Sequence, residues 1–125
     1  MSWYVDSSGI VAVIFDEPEA LALEEILESA PVTSRLSRVE VLRRVNKFDV
    51  ALLPRAQKVI SQFQLVEMAE SILIRAESYP PQITVKTADA IHLATAETLS
   101  PLIEGVITLD KQMAINARKL NLTVY

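Results

Sequence analysis

The sequence predicts an α/β fold: a three-layer α/β/α sandwich around a central parallel sheet of about five short strands, formed as a single domain over residues 1–125. Two patterns predict it. Short β-branched apolar runs alternate with stretches of helical periodicity, which is how parallel strands joined by helical crossovers read. The opening run, Trp3-Tyr4-Val5, is apolar at consecutive positions, as in a strand buried on both faces in the middle of such a sheet. Composition agrees with a compact, helix-rich chain: half the residues are hydrophobic and only two are glycine.

The first strand ends on Asp6, and Ser7-Ser8-Gly9 turns the chain into a helix. In open parallel sheets, ligands bind beyond the carboxyl ends of the strands, so Asp6 is placed at a site. Ile10 to Phe15 is apolar almost all round and predicts a short buried helix. Asp16-Glu17-Pro18-Glu19 starts a second helix, with proline early, where its missing N–H costs nothing. Leu21, Leu23, Ile26 and Leu27 give that helix its apolar side. Pro31 to Ser34 predicts a second strand, with Ser34 or Ser37 capping a helix that runs to about Lys47. Val39, Leu42 and Val45 mark the buried side of that helix.

Pro54 to Phe63 predicts a further amphipathic helix, Leu65-Val66-Glu67 a short strand, and Met68 to Tyr79 another helix stopped by Pro80-Pro81. Thr87 to Ala96 is a largely buried helix with Thr87 as its expected cap and Asp89 in its first turn. Gly105 to Asp110 repeats the opening pattern, a β-branched run ending in an acid. Lys111 to Leu120 is the last helix, closed by Asn121 in a left-handed conformation. Leu122 to Tyr125 is the last expected strand.

The bulk numbers exclude several classes. There is no cysteine, hence no disulfide or thiolate metal site. No apolar run approaches the roughly 20 residues that span a bilayer. No secretory signal is visible, so the expectation is a cytoplasmic protein with no membrane partner. The net charge of −4 argues against nucleic-acid binding through bulk charge alone.

Four acids modify that reading. Asp6 and Asp110 end apolar strands, and Glu40 and Asp89 lie on helices among mainly apolar neighbours. With these four set aside, the 16 acids fall to 12 and equal the 12 bases. Carboxylates gathered in one place repel one another, and the usual remedy is a hard divalent cation, Mg²⁺ or Mn²⁺. Such an ion activates water and offsets charge on a phosphodiester. Spacing leaves convergence open. Glu40 also reads as a surface ion pair with Arg43 or Arg44, worth a few tenths of a kcal/mol. Asp89 also reads as a complement to its helix dipole, worth roughly 0.3–1 kcal/mol. His92 is a core or supporting histidine within reach of Asp89, rather than a ligand.

The chain resembles the PIN-domain proteins of the VapC toxin type, the ribonuclease half of a toxin–antitoxin pair. The likeness covers the whole chain. It is carried by Tyr4-Val5-Asp6-Ser7-Ser8-Gly9 with Glu17-Pro18-Glu19, by Ser37-Arg38-Val39-Glu40-Val41, by Thr87 to Ala96, and by Val106-Ile107-Thr108-Leu109-Asp110-Lys111-Gln112-Met113. The resemblance implies a PIN-like fold, with Asp6, Glu40, Asp89 and Asp110 as catalytic, metal-binding acids for Mg²⁺ or Mn²⁺. It also implies Ser7 and Thr108 as polar neighbours that orient a carboxylate or water. The implied reaction is single-stranded RNA cleavage by metal-activated water, leaving a 5′-phosphate and a 3′-hydroxyl. A small antitoxin covering the groove and a homodimer formed through helices of the first half are the implied partners.

Arg38, Arg43 and Arg44, with Arg35 and Lys47, are the candidate RNA or antitoxin contacts. The same residues also read as a solvated helix face. Other readings of the chain are a housekeeping PIN nuclease in RNA maturation and a non-catalytic PIN-like domain that binds a partner. A phospho-acceptor domain ranks below both, because it calls for an acidic pair after the first strand and this chain has Asp6-Ser7-Ser8.

Overall fold

The computed structural model describes residues 2–125. Four parallel strands form one sheet: β1 (Ser2–Val5), β2 (Val32–Ser34), β3 (Gln64–Val66) and β4 (Ile103–Ile107). Their spatial order is β3-β2-β1-β4. Seven α-helices are described: α1 (Ser7–Ile14), α2 (Leu21–Leu27), α3 (Arg35–Phe48), α4 (Leu53–Ile60), α5 (Glu70–Glu77), α6 (Thr87–Leu99) and α7 (Lys111–Lys119). Short 3₁₀ turns precede α2 and α4 and follow α6.

β1, β2 and β4 are largely buried, as their apolar runs require, while β3 at the sheet edge is only partly covered. Side chains alternate across a strand, so Val5 and Ile107 join one core with α1, α3 and α4. Tyr4 and Val106 join the opposite core with α6 and α7. These two cores are the outer interfaces of the three-layer sandwich. β1 and β4 pair with Tyr4 opposite Val106 and Val5 opposite Ile107. The chain builds outward from β1 through β2 to β3, then returns to the other side of β1 for β4. The direction of winding therefore reverses beside β1, where a crevice opens at the strand ends.

Local sequence accounts for most boundaries. Asp6, Ser34 and Asp110 cap α1, α3 and α7, accepting from the N–H groups of Gly9, Leu36 and Met113. Gly9 to Ile14 are all buried, in accord with the apolar run that predicts α1. Arg55 of α4 donates to the carbonyls of Val13 and Ile14, both at 3.0 Å, and so holds a cation at the C-terminus of α1. Asn121 adopts φ 62°, the left-handed residue expected after the last helix.

Four expectations need correction. Val39 does not mark the buried side of α3: it is 46% exposed, and Ser37, Val41 and Val45 are the buried residues, one register away on the helix. Thr87 does not cap α6: Lys86 takes that position without a side-chain cap bond, and Thr87 is the first helical residue. The stretch from Asp16 does not enter a helix directly. Asp16 turns at φ 56° and Pro18–Ala20 forms a 3₁₀ turn before α2. The fifth strand is reduced to one parallel bridge, Val106 to Val124, held by Val106 N–H to the Thr123 carbonyl at 2.8 Å and Tyr125 N–H to the Val106 carbonyl at 3.0 Å.

Gly105 is what allows this last segment to lie so close. A Cβ there would run into the Thr123 carbonyl oxygen and stand 2.9 Å from both Thr123 Cβ and Trp3 Cζ3. Two of those three atoms are backbone or β-carbon and cannot swing away. Gly105→Ala is therefore expected to lower stability by about 1–3 kcal/mol, read as an earlier urea midpoint with an unchanged slope. An unaltered midpoint would show that the C-terminal segment does not pack on β4 as described.

Candidate active site

Asp6 directly follows β1, and Thr108 directly follows β4. The Asp6 N–H donates to the Ile107 carbonyl at 3.1 Å, which joins the two strand ends. Asp6 is only 3% exposed. Its Oδ1 accepts from Ser8 Oγ at 2.6 Å and from the Gly9 N–H at 3.3 Å. Its Oδ2 accepts from Thr108 Oγ1 at 2.5 Å. The same two hydroxyls accept in turn: Ser8 Oγ from the Leu109 N–H at 2.9 Å, and Thr108 Oγ1 from the Asp110 N–H at 3.1 Å. Two loops about a hundred residues apart are thus stitched through one carboxylate.

Burial pushes the Asp6 carboxyl above its ordinary range, against the opposing pull of the Ser8 and Thr108 hydroxyls. Asp89, in the first turn of α6, is also pushed up. Burial is again the main cause, followed by the neighbouring charge of Asp110, with Asp6 and Glu40 adding to it. The charges of Asp110, Asp6 and Glu40 therefore reach Asp89, and Asp6 and Asp89 are the carboxyls on which a bound proton is favoured.

A cavity of about 800 Å³ opens over these residues, and Asp6, Glu40, Asp89 and Asp110 all line it. The structure thus brings the four acids singled out from sequence to one place. Among the described residues, however, no three of them are gathered tightly enough to cage an ion directly. The donor set is all oxygen, as Mg²⁺ and Mn²⁺ prefer. Mg²⁺ ordinarily binds through one or two carboxylates and keeps several waters. An open arrangement of partly engaged carboxylates fits that habit; a closed structural metal site would not look like this.

Glu40 departs from the ion pair that its sequence neighbours suggest. Its partner is His92, whose Nε2 lies 2.6 Å from Glu40 Oε1. His92 is fully buried, and its Nδ1 lies 2.6 Å from the Tyr4 hydroxyl. Burial raises the Tyr4 phenol strongly, so it keeps its proton. The consistent assignment has Tyr4 donating to Nδ1 and Nε2–H donating to Glu40. His92 thus bonds Glu40 of α3, rather than Asp89, the acid three residues before it to which its place in the sequence points. Tyr4 is missed by sequence reasoning, because it lies 88 residues away and reads as plain core.

Two other placements differ in detail. Ser7 lines the cavity, but the hydroxyl bonded to Asp6 belongs to Ser8. An N-cap side chain reaches toward the second and third residues of its helix rather than the first, and that offset is the signal that points to Ser8. Arg43, Arg44 and Lys47 line the cavity wall, whereas Arg38 does not.

Tyr4→Phe is expected to leave His92 without its anchor and to weaken Mn²⁺ affinity up to about tenfold, the low end of what losing an outer-shell partner costs, since Tyr4 reaches Glu40 only through His92. Calorimetric titration would read it. Unchanged affinity would make the Tyr4–His92–Glu40 chain a packing feature only.

The fold and the site together define a class. A PIN-domain family model matches residues 3–119, and the chain belongs to the PIN-domain family. Its relatives include Ribonuclease VapC46 of Mycobacterium tuberculosis, 32% identical over 123 residues, with 97% of this chain and 94% of the relative covered. Ribonuclease VapC35 of the same species is 30% identical over 127 residues, covering 97% of this chain and 93% of the relative. In fold, the chain is similar to a chain of a toxin–antitoxin complex from Klebsiella pneumoniae, with a TM-score of 0.73 at 24% identity over 90% of this chain and 91% of the other. Among the described residues, no helix is long and apolar enough to cross a membrane.

Proposed function

We propose that this protein is the toxin of a type II toxin–antitoxin pair, acting as a Mg²⁺- or Mn²⁺-dependent endoribonuclease. The observation that carries the reading is the single cavity lined by Asp6, Glu40, Asp89 and Asp110 at the carboxyl ends of β1 and β4. Support also comes from the kinship with proteins named ribonuclease VapC. When bound, the ion would acidify a water and offset charge on the scissile phosphodiester.

The protein's own residues have separable tasks in this scheme. Asp6, Asp89, Asp110 and Glu40 would hold the ion, directly or through water. Ser8 and Thr108 fix the Asp6 carboxylate with both oxygens oriented. His92 holds one oxygen of Glu40, Oε1. Arg43, Arg44 and Lys47 form the one basic wall of the cavity, suited to the flanking phosphates. A cognate antitoxin that covers this groove, and a homodimer, complete the proposed assembly. A housekeeping nuclease would show the same chemistry and differ in having no such partner.

The test is cleavage of single-stranded RNA by the purified chain in Mn²⁺ and in EDTA. Cleavage in Mn²⁺ that stops in EDTA is expected. Cleavage that persists under chelation rejects the mechanism.

A further inference from the structure

One aromatic ring lies in the wall of the acid-lined cavity. Phe48 ends α3 and is 66% exposed. It lines the same cavity as the four acids. By contrast Phe63, a ring of the same size, is buried in the core. Glu40, Arg43, Arg44, Lys47 and Phe48 fall at intervals of 3, 4, 7 and 8 residues from the acid. Those intervals place them on one stripe of the helix. The stripe spans about 12 Å from the acid to the ring at 1.5 Å per residue. The Arg44 guanidinium carbon stands 5.7 Å from the Phe48 ring centroid, within cation–π range. Among the described residues, the salt bridges are Arg75–Glu97 and His92–Glu40, so Arg43, Arg44 and Lys47 have no acidic partner.

We infer that Phe48 is the base-stacking platform of this site: its ring receives an unpaired nucleobase of the RNA strand whose phosphodiester reaches the acids. This rests on the nuclease reading of the same cavity. The physical case is a match of alternation. A single strand presents bases and phosphates in turn, and recognition of such strands combines cationic grooves with aromatic faces. The stripe offers three cations without an acidic partner followed by an aromatic face, on a helix rather than a loop. Arg44 occupies one side of the ring and stiffens it, leaving the other for a base. Stacking accepts every base through its π-face, so the platform sets where the strand lies more than which base it carries.

The test uses a fluorescein-labelled single-stranded RNA oligonucleotide and a series with one abasic position moved along it, bound in Ca²⁺ by wild type and by Phe48→Ala. Phe48→Ala is expected to weaken binding of the intact strand about tenfold, and Phe48→Trp to restore it. In wild type, one abasic position should cost about the same factor, and in Phe48→Ala that position should cost nothing further. Equal binding by wild type and Phe48→Ala, failure of wild type to bind, or abasic penalties independent of residue 48 would each overturn the platform. So would intact RNA binding by Phe48→Ala together with weakened capture of a co-expressed antitoxin, which would assign the ring to protein docking. Mn²⁺-dependent hydrolysis of bis(p-nitrophenyl) phosphate, which carries no base, reports the nuclease reading separately. Its loss alongside the abasic pattern sinks that reading and leaves the platform standing. Its retention without the pattern does the reverse.

Discussion

Asp6→Asn is expected to lower the rate of RNA cleavage by at least about 10²–10³-fold, the scale on which a preorganised charge-stabilising group counts. Asp6 is the acid around which the site is assembled: buried, bonded at both oxygens, and the link between the loops that follow β1 and β4. Asparagine keeps the shape and removes the charge. It also presents an N–H₂ where Ser8 or Thr108 donates, so one hydroxyl must turn. The fold is expected to persist, because the displaced hydroxyl retains a backbone N–H partner in Leu109 or Asp110. Initial rates in Mn²⁺, with circular dichroism as a check on folding, would measure it. A folded Asp6→Asn variant with wild-type activity would remove Asp6 from the chemistry and the proposed mechanism with it.

The second large effect joins pH to metal. The folded state raises the Asp89 carboxyl above its ordinary value of 3.8, through burial first and Asp110 next. A raised acid binds its proton more tightly in the folded than in the unfolded chain. Its favourable contribution is therefore complete below 3.8 and is lost as pH rises through the folded value. Asp89→Asn removes that loss. The melting temperature of this variant minus that of wild type should grow as pH rises from below 3.8 toward neutrality in EDTA. Mn²⁺ should reverse the ranking. At a hundred times its dissociation constant, an ion adds about 2.7 kcal/mol to the wild type, on the order of 10 °C for a chain of this size. The variant should gain much less. A difference that stays flat with pH, or an equal Mn²⁺ response in both proteins, would contradict the shared acid site.

These two results probe different links of one chain of cause. Asp6 tests whether charge at the strand ends performs the reaction. Asp89 tests whether the acids are close enough to strain the metal-free fold. The carboxylates are costly in the absence of an ion, and the fold tolerates them through local devices. Ser8 and Thr108 donate to Asp6, Met113 N–H to Asp110, and His92 to Glu40.

Much of this was legible in the residues. Apolar runs ending in Asp6 and Asp110 announced strands with acids at their carboxyl ends, and the helical spacing of Leu42 and Val45 and the apolar filling of Thr87 to Ala96 announced the helices that carry Glu40 and Asp89. Local periodicity and caps involve residues three or four apart, so they leave a direct imprint on sequence. The imprint fades where neighbours are distant. The role of Tyr4 depends on His92 arriving beneath it on α6. That Ser8 also reaches Thr108 depends on which side of the first turn of α1 faces the end of β4. Phe48 resembles Phe63 in sequence, yet one ring is solvent-facing and the other is core, because only Phe63 joins the cluster built by α1, α3 and α4.

The sequence by itself determined the alternation of strands and helices and set Asp6 and Asp110 at the carboxyl ends of two apolar strands. Only the tertiary structure decided that β4 lies beside β1, with Ile107 level with Val5, and so brought Asp110 and Thr108 to Asp6. The physical reason is that strand order and register are set by burying two sheet faces at once, against helices from both halves of the chain. That is a collective packing condition, and no short stretch of residues contains it.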